Sequence, residues 1–210
     1  MTVAVRIRDA RRDDVALIFG WIVELAEYER APEQVSGTPE LLEDALFGPA
    51  PSAEAVIAET RDEAVPDAAT TAADATTRTV DATTTTAGAT TRTVDATTTT
   101  ADANHWQPAG FALFHSTFST WESRPGIWLE DLYVPPVHRR SGVGAALLAR
   151  LAQIAVARGY ARLEWAALDW NEPALNFYDK IGARRLDDWI LHRLDGGGLE
   201  RIAGTTGTAG

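Results

Sequence analysis

A short basic and glycine-rich turn constrains this chain more than any other feature. It reads Arg-Arg-Ser-Gly-Val-Gly over residues 139–144 and follows an apolar, strand-like run at 127–134. Behind it, apolar side chains recur at helical spacing over residues 147–154. This order of strand, turn and helix is typical of an anion site, because the first amides of a helix have no partner within it and point outward.

The composition of the turn suits a diphosphate. Glycines let the backbone approach the anion closely, and arginines add positive charge. The spacing basic-x-x-Gly-x-Gly differs from both GxxxxGK[ST] and GxGxxG, which disfavours a nucleotide triphosphatase or a dinucleotide-binding oxidoreductase. The alternative interpretation is an ordinary glycine-rich turn that opens a surface helix.

Length and charge narrow the class of protein. A chain of 210 residues with 45% hydrophobic side chains can build one large domain with a real core. The net charge of −11 argues against nucleic acid as a partner. Cysteine is absent, and no apolar run is long enough for a signal peptide or a membrane span. We therefore expect a cytoplasmic protein without a membrane partner.

The first part of the chain predicts two strands and two helices. Residues 3–8 alternate apolar and basic side chains, and residues 53–59 also suit a strand. An aspartate pair at 13–14 opens a helix that ends near residues 30–32. A Thr-Pro-Glu motif opens a short helix over residues 38–47.

A low-complexity segment at about 60–104 interrupts this pattern. Residues 75–87 return at 89–101 as a tandem copy rich in Thr, Ala and Asp. Such a composition buries too little apolar area to offset the entropy of ordering, so we expect a long disordered insertion. The role of the repeat stays open.

Regular structure resumes after the insertion. The predicted elements are strands at 109–118 and 127–134, a helix from about 141 to 158, a strand at 163–168, a helix opened by Asn171 and closed by Gly182, and strands at 183–186 and 189–194. Glycines 196–198 and the tail after residue 203 are expected to fray. The order predicts a single α/β domain over residues 1–203, with a mixed sheet flanked by helices and a disordered tail at 204–210.

Together these motifs resemble the GCN5-related N-acetyltransferases (GNAT), whose pyrophosphate loop reads [Gln/Arg]-x-x-Gly-x-[Gly/Ala]. The resemblance is strongest to the diamine acetyltransferase branch, the spermidine/spermine and thialysine N-acetyltransferases, and covers nearly the whole chain outside the insertion and the tail. The matching segments are 24–29, 33–35, 119–121, 129–134, 139–144, 165–174 and 176–178.

The resemblance implies acetyl-CoA as co-substrate, no metal, and a homodimer. The residues it assigns to the co-substrate are Leu132, Tyr133, Val134, Arg139, Arg140, Ser141, Gly142, Val143, Gly144, Ala145, Asn171, Glu172, Pro173 and Ala174. Asn171 contacts the pantetheine, caps its helix, or does both. The four histidines are scattered, without the spacing of a metal-binding pair.

Acetyl transfer to an amine requires two proton transfers. An aliphatic ammonium has a pKa of about 10.4 and must lose a proton before it attacks, so a carboxylate is needed. The resemblance places Glu130 in that role, while Asp131 is structural or supports the base. The departing thiolate requires a proton, and Tyr178 matches the family's general acid. The alternatives are a solvent-facing glutamate and a core tyrosine.

The substrate residues implied by the resemblance are Tyr28, Glu29, Glu33, Trp121, Glu130, Glu164, Trp165 and Ala166. Two departures weaken a polyamine preference. Ser119 replaces an acid, and residues 30–32 read Arg-Ala-Pro in an otherwise acidic stretch. We predict direct acetyl transfer to a small diamine or polyamine, with thialysine or another amino acid as the alternative substrate. A non-catalytic acyl-CoA-binding module is the alternative from another class.

Overall fold

The computed structural model describes residues 3–62 and 106–205. Backbone contacts divide the chain into two compact units, Met1–Ala166 and Ala167–Gly210. The first contains strands β1 (Val3–Asp9), β2 (Glu54–Asp62), β3 (Gln107–Ser119), β4 (Arg124–Tyr133) and β5 (Leu163–Trp165), with helices α1 (Val15–Tyr28), α2 (Pro39–Phe47) and α3 (Val143–Ala157). The second contains α4 (Glu172–Lys180) and α5 (Gly196–Thr205).

The five strands form one sheet in the order β1-β2-β3-β4-β5. Strands β1 to β4 are antiparallel neighbours, and β5 runs parallel to β4. The prediction of an α/β fold with a mixed sheet is confirmed. Residues 60–62, predicted to begin the disordered insertion, instead continue β2, where Thr60 pairs with Gln107 of β3. The rest of that prediction falls outside the described residues.

The core lies on both faces of the sheet. On one face, Trp21 of α1 stacks on Phe111 of β3 with ring centroids 5.9 Å apart. Leu46 of α2 and Tyr133 of β4 belong to the same cluster. Because strand side chains alternate, the neighbours of these residues point to the opposite face, where α3 packs through its buried leucines. Helices therefore flank the sheet as predicted.

A charged network ties β1 to β2 and to the turn before α1. Arg8 donates two hydrogen bonds to Asp14, at 2.7 and 2.8 Å, and one to Glu59 at 2.8 Å. Arg6 donates to the other oxygen of Glu59 at 2.6 Å. The hydrogen bonds from Arg8 hold the pKa of Asp14 below its usual value. Burial alone would raise the pKa of Glu59, but the bonds from Arg8 and Arg6 outweigh it and lower that pKa too.

Replacing Arg8 with methionine is expected to destabilise the fold by about 3 kcal/mol at pH 7, because it leaves two largely buried carboxylates short of a partner. A carboxyl whose pKa is lowered in the folded state stabilises the fold at pH values above its ordinary pKa, about 4. That stabilisation is lost as the pH falls through the folded-state pKa. The difference between Arg8→Met and wild type should therefore shrink below about pH 4. Urea unfolding at pH 7 and pH 3 measures this, and an equal difference at both pH values would contradict it.

Two predictions for the end of the chain are wrong. Residues 183–186 and 189–194 have no regular secondary structure and form no strands. The amide of Ala183 donates to the carbonyl of Tyr178, and that of Trp189 to the carbonyl of Leu186. A strand needs a neighbour for its backbone groups, and the described bonds of these two residues are local. Glycines 196–198 and residues 204–205, expected to fray or be disordered, instead lie within α5. At its start the amide of Gly198 donates to the carbonyl of Asp195.

Candidate active site

A β-bulge places two successive carboxylates on one side of β4. The pairing of β3 with β4 steps from Leu113–Asp131 to Phe114–Leu129, which leaves Glu130 as the extra residue. Asp131 shares the face of its partner Leu113, the face covered by α1 and α2. Glu130 reaches the same face, since it contacts Trp128. Regular alternation would have sent the two carboxylates to opposite sides of the sheet.

Glu130 contacts two aromatic side chains. The indole N–H of Trp128 donates to its Oε2 at 2.8 Å, and Nε2 of His115 lies 3.8 Å from the same oxygen. The carboxylate is 54% exposed and thus open to a ligand. Glu130 was predicted from sequence, but its two partners were not. Trp128 could have been found from the sequence, because it lies two positions earlier on the same strand. His115 could be found only once the pairing register of β3 with β4 was known.

Asp131 is half-buried and lies among other acids. Burial, together with the negative charges of Glu130 and Glu29, raises the pKa of Asp131 to about 6. Burial also raises the pKa of Glu29, the residue that ends α1. The structure therefore brings Glu29, Glu130 and Asp131 together near the bulge. Such a cluster favours a cationic ligand and contains one carboxyl, Asp131, able to exchange a proton near pH 6.

Asp131→Asn is expected to stabilise the protein at pH 8. The folded state holds the Asp131 proton more tightly than the unfolded state, so stability falls as pH rises from 3.8 through about 6. Removing that ionisation should raise the free energy of unfolding by about 1–3 kcal/mol at pH 8 and little near pH 4. Thermal unfolding at the two pH values measures the effect, and an unchanged melting temperature at pH 8 would contradict it.

The edge of β4 beyond the bulge lacks a strand partner on one side within the described residues. β5 pairs with β4 only from Ile127–Leu163 to Leu129–Trp165. This explains why β5 ends at Trp165 rather than at the predicted residue 168. Residues 131–133 still pair with β3 on the other side, so their second edge is open to an extended ligand.

The predicted phosphate loop has the backbone geometry of an anion cradle. Arg140 and Gly142 adopt left-handed conformations, with φ of 66° and 87°, immediately before α3 begins at Val143. The Ser141 hydroxyl donates to the carbonyl of His138 at 2.5 Å, which stabilises the turn. The outward amides at the start of α3 thus follow a turned backbone, as in other anion-binding nests.

The Arg139 side chain contacts other residues of the protein and does not simply extend into solvent. Its Nε donates to the carbonyl of Val134 at 3.0 Å, and its guanidinium lies 4.9 Å from the ring centre of Tyr28. Tyr133 donates its hydroxyl proton to Glu24 of α1 at 2.8 Å, and burial raises the pKa of Tyr133 to about 12. These contacts join the end of β4 and the loop to α1. Sequence reasoning missed them because they join positions far apart in the chain.

Some predicted substrate residues lie elsewhere on the first unit. Trp121 is 86% exposed in the β3–β4 turn, roughly 20 Å along the hairpin from the bulge. Glu33 is exposed in a short 3-10 helix after α1, and Glu164 pairs with Arg162 at 2.7 Å. Trp165 and Ala166 lie at the end of β5. Ser119, where the resembled family tends to carry an acid, is buried.

The second unit holds the remaining predicted residues. Asn171 caps α4 through a bond from the amide of Ala174 to its side-chain oxygen at 3.4 Å, and the helix begins with Glu172 and Pro173. Tyr178 lies on the same helix, with its ring 5.5 Å from that of Phe177. The cap leaves the pantetheine role of Asn171 a prediction.

Neither metal nor membrane features appear in the described part of the chain. No group of three or more His, Cys, Asp or Glu side chains there is arranged to hold a metal ion. Among the described helices, none is long and apolar enough to cross a membrane.

Comparison with known proteins identifies the class of enzyme. The family model described as acetyltransferase (GNAT) family matches residues 83–183. The thialysine N-epsilon-acetyltransferase of Bos taurus is 29% identical over 203 residues, which is 95% of this chain and 98% of that protein. The chain therefore contains a GNAT acetyltransferase domain. This confirms the predicted enzyme class, an acetyl-CoA-dependent N-acetyltransferase.

Two further similarities support this placement. An L-ornithine N5-acetyltransferase of Arabidopsis thaliana is 39% identical over 94 residues, covering 45% of this chain and 41% of that protein. An integron cassette protein from the mobile metagenome of V. cholerae has a TM-score of 0.61 at 21% identity, covering 95% of this chain and 97% of that chain. At this identity the structural likeness shows the fold alone.

Proposed function

We propose that this enzyme acetylates a terminal primary amine of a small molecule that carries a second positive charge, with Glu130 as the proton acceptor. The observation that carries the proposal is the bulge, which sets Glu130 beside Asp131 at the open edge of β4. The class of substrate includes diamines, polyamines and lysine-like amino acids.

The proposed reaction is a direct transfer in which Glu130 and Tyr178 handle protons. Glu130 accepts a proton from the ammonium, directly or through water, and the neutral nitrogen attacks the thioester carbonyl carbon. The nitrogen gives up its second proton to water as the carbon–sulfur bond breaks, and the Tyr178 hydroxyl donates a proton to the thiolate. Tyr178 then regains a proton from water, and Glu130 releases its proton to solvent. The amide retains the acetyl group, and free CoA leaves as its thiol. The role of Tyr178 rests on its match to the family motif.

Backbone groups supply the rest of the machinery. Amides at residues 132–134, on the open edge of β4, are placed to bind an extended pantetheine and to polarise the carbonyl oxygen. The loop from Arg140 to Ala145 cradles the diphosphate. Arg140 is the side-chain contact to phosphate in this proposal, because Arg139 is already bound to Val134 and Tyr28.

The acids near the bulge support a cationic substrate. Glu29 and Asp131 interact electrostatically, so a second ammonium bound between them would relieve their repulsion. The relatives named for thialysine and ornithine act on amino acids with a side-chain amine. In this chain Ser119 accepts a hydrogen bond from Arg162 at 3.1 Å, which leaves that position without an acid for a long polyamine. Short diamines and lysine-like amino acids are therefore the proposed substrates.

A matched pair of amines tests the need for a second charge. Putrescine and butylamine have the same carbon chain, but only putrescine carries two ammonium groups. We expect kcat/KM to be about tenfold or more higher for putrescine, and Glu29→Gln to reduce that preference. Thialysine and ornithine extend the panel to amino acids. Equal kcat/KM for putrescine and butylamine in the wild type would contradict the proposed substrate class.

A further inference from the structure

Trp128 and His115 form a pair around Glu130 that the proposed mechanism has not used. They are direct partners across β3 and β4, so their side chains stand side by side on the same face of the sheet. The bulge then returns Glu130 to that face, where both side chains meet a single carboxylate oxygen, Oε2. Among the described residues, both polar contacts of the Glu130 carboxylate are to this oxygen, and Oε1 is left free.

We propose that Trp128 and His115 are positioning residues for Glu130: they hold Oε2 so that Oε1 is the oxygen that receives the amine proton. This inference rests on the proposed role of Glu130 as base. A carboxylate that is 54% exposed would otherwise be free to change rotamer. Its acidic neighbour Asp131 would also repel it. The indole N–H of Trp128, which donates to Oε2, counters both effects.

The two partners contact Oε2 in different ways. The indole N–H of Trp128 donates a hydrogen bond to it at 2.8 Å. In His115, Nδ1 lies 3.1 Å from the carbonyl of Ser116, which only accepts, so the neutral ring carries its hydrogen on Nδ1 and has none to donate from Nε2. Trp128 therefore supplies the hydrogen bond, and the His115 ring, with Nε2 3.8 Å from Oε2, limits the rotamers of Glu130 by its bulk.

Steady-state kinetics with acetyl-CoA and the best amine tests the inference in the full-length enzyme. Trp128→Phe is expected to lower kcat about tenfold, the loss of one hydrogen bond to a charged group, with an unchanged KM for acetyl-CoA. In a Glu130→Gln background the same substitution should cost nothing further. Trp189→Phe and His192→Phe are matched controls at exposed positions of the second unit.

A second pair of variants tests His115 separately. His115→Ala should reduce kcat/KM about threefold, because no ring then limits the rotamers of Glu130. His115→Phe keeps a ring at this position and is expected to restore most of the rate. A wild-type rate in His115→Ala would overturn the role of His115.

The outcomes distinguish this inference from the proposed function. Full activity in Glu130→Gln would remove Glu130 as the base and the inference with it. A large loss in Glu130→Gln, combined with a Trp128→Phe rate equal to the Trp189→Phe control, would keep the base and overturn the positioning role. An equal fractional loss from Trp128→Phe in the wild-type and Glu130→Gln backgrounds would show a merely structural tryptophan, which also overturns it.

Discussion

Glu130→Gln should lower kcat by about 10²- to 10⁴-fold, the range typical for loss of a general base. The amide keeps the size of the side chain and can still contact Trp128, but it cannot accept the proton from the ammonium. Acetyl-CoA affinity should be preserved, because the proposed contacts to the co-substrate are backbone groups of residues 132–134 and 140–145. Rapid-mixing kinetics with saturating amine measures the chemical step.

The exposed Glu122→Gln, in the β3–β4 turn, is a matched control for the same change of charge. It should leave kcat unaltered. Raising the pH should partly rescue Glu130→Gln, since more of the amine is then already neutral. If Glu130→Gln turned over at the wild-type rate, the role of base would pass to Asp131, whose pKa of about 6 suits it.

Tyr178→Phe is expected to reduce turnover by about 10²-fold or more, as for loss of a general acid. The phenyl ring keeps the contact with Phe177, so α4 should remain folded. Because the hydroxyl acts only on the leaving thiolate, KM for the amine should change little. The loss should be smaller for an acetyl thioester whose thiol has a lower pKa, because that leaving group needs less protonation.

Tyr160→Phe provides the control for loss of a phenolic hydroxyl, since Tyr160 bonds to Ser116 at 2.9 Å on the first unit. Wild-type turnover in Tyr178→Phe would remove this tyrosine from the mechanism. Inactivity of the wild-type enzyme on every amine, with acetyl-CoA still bound, would favour the alternative of an acyl-CoA-binding module.

The sequence predicted those parts of the fold whose signal is local. The β4–loop–α3 segment combines a buried strand, a turn that requires left-handed backbone, and a helix with a regular apolar face, so each piece could be recognised separately. The caps at Thr38 and Asn171 depend only on residues three positions away, and both are present. The order of strands and helices along the chain, from β1 to α4, was also predicted from these local patterns.

Features that depend on contacts distant in sequence could not be predicted. The bulge at Glu130 is defined by the pairing register of β4 with β3, and no residue of the Leu-Glu-Asp-Leu stretch indicates it. The contact between the Arg139 guanidinium and the Tyr28 ring joins a loop to a helix more than a hundred residues earlier in the chain. The apolar run at 189–194 read as a strand because periodicity does not reveal whether a partner strand exists.

The most direct measurement of the central claim pairs thiol release with product mass. The enzyme is incubated with acetyl-CoA and, separately, putrescine, spermidine, spermine, thialysine, ornithine, lysine and butylamine. We predict equimolar free CoA and mono-acetylated amine, fastest with a short diamine or a lysine-like amino acid, and little with butylamine. Thiol release without an acetylated amine, or no release with any of these amines, would contradict the account.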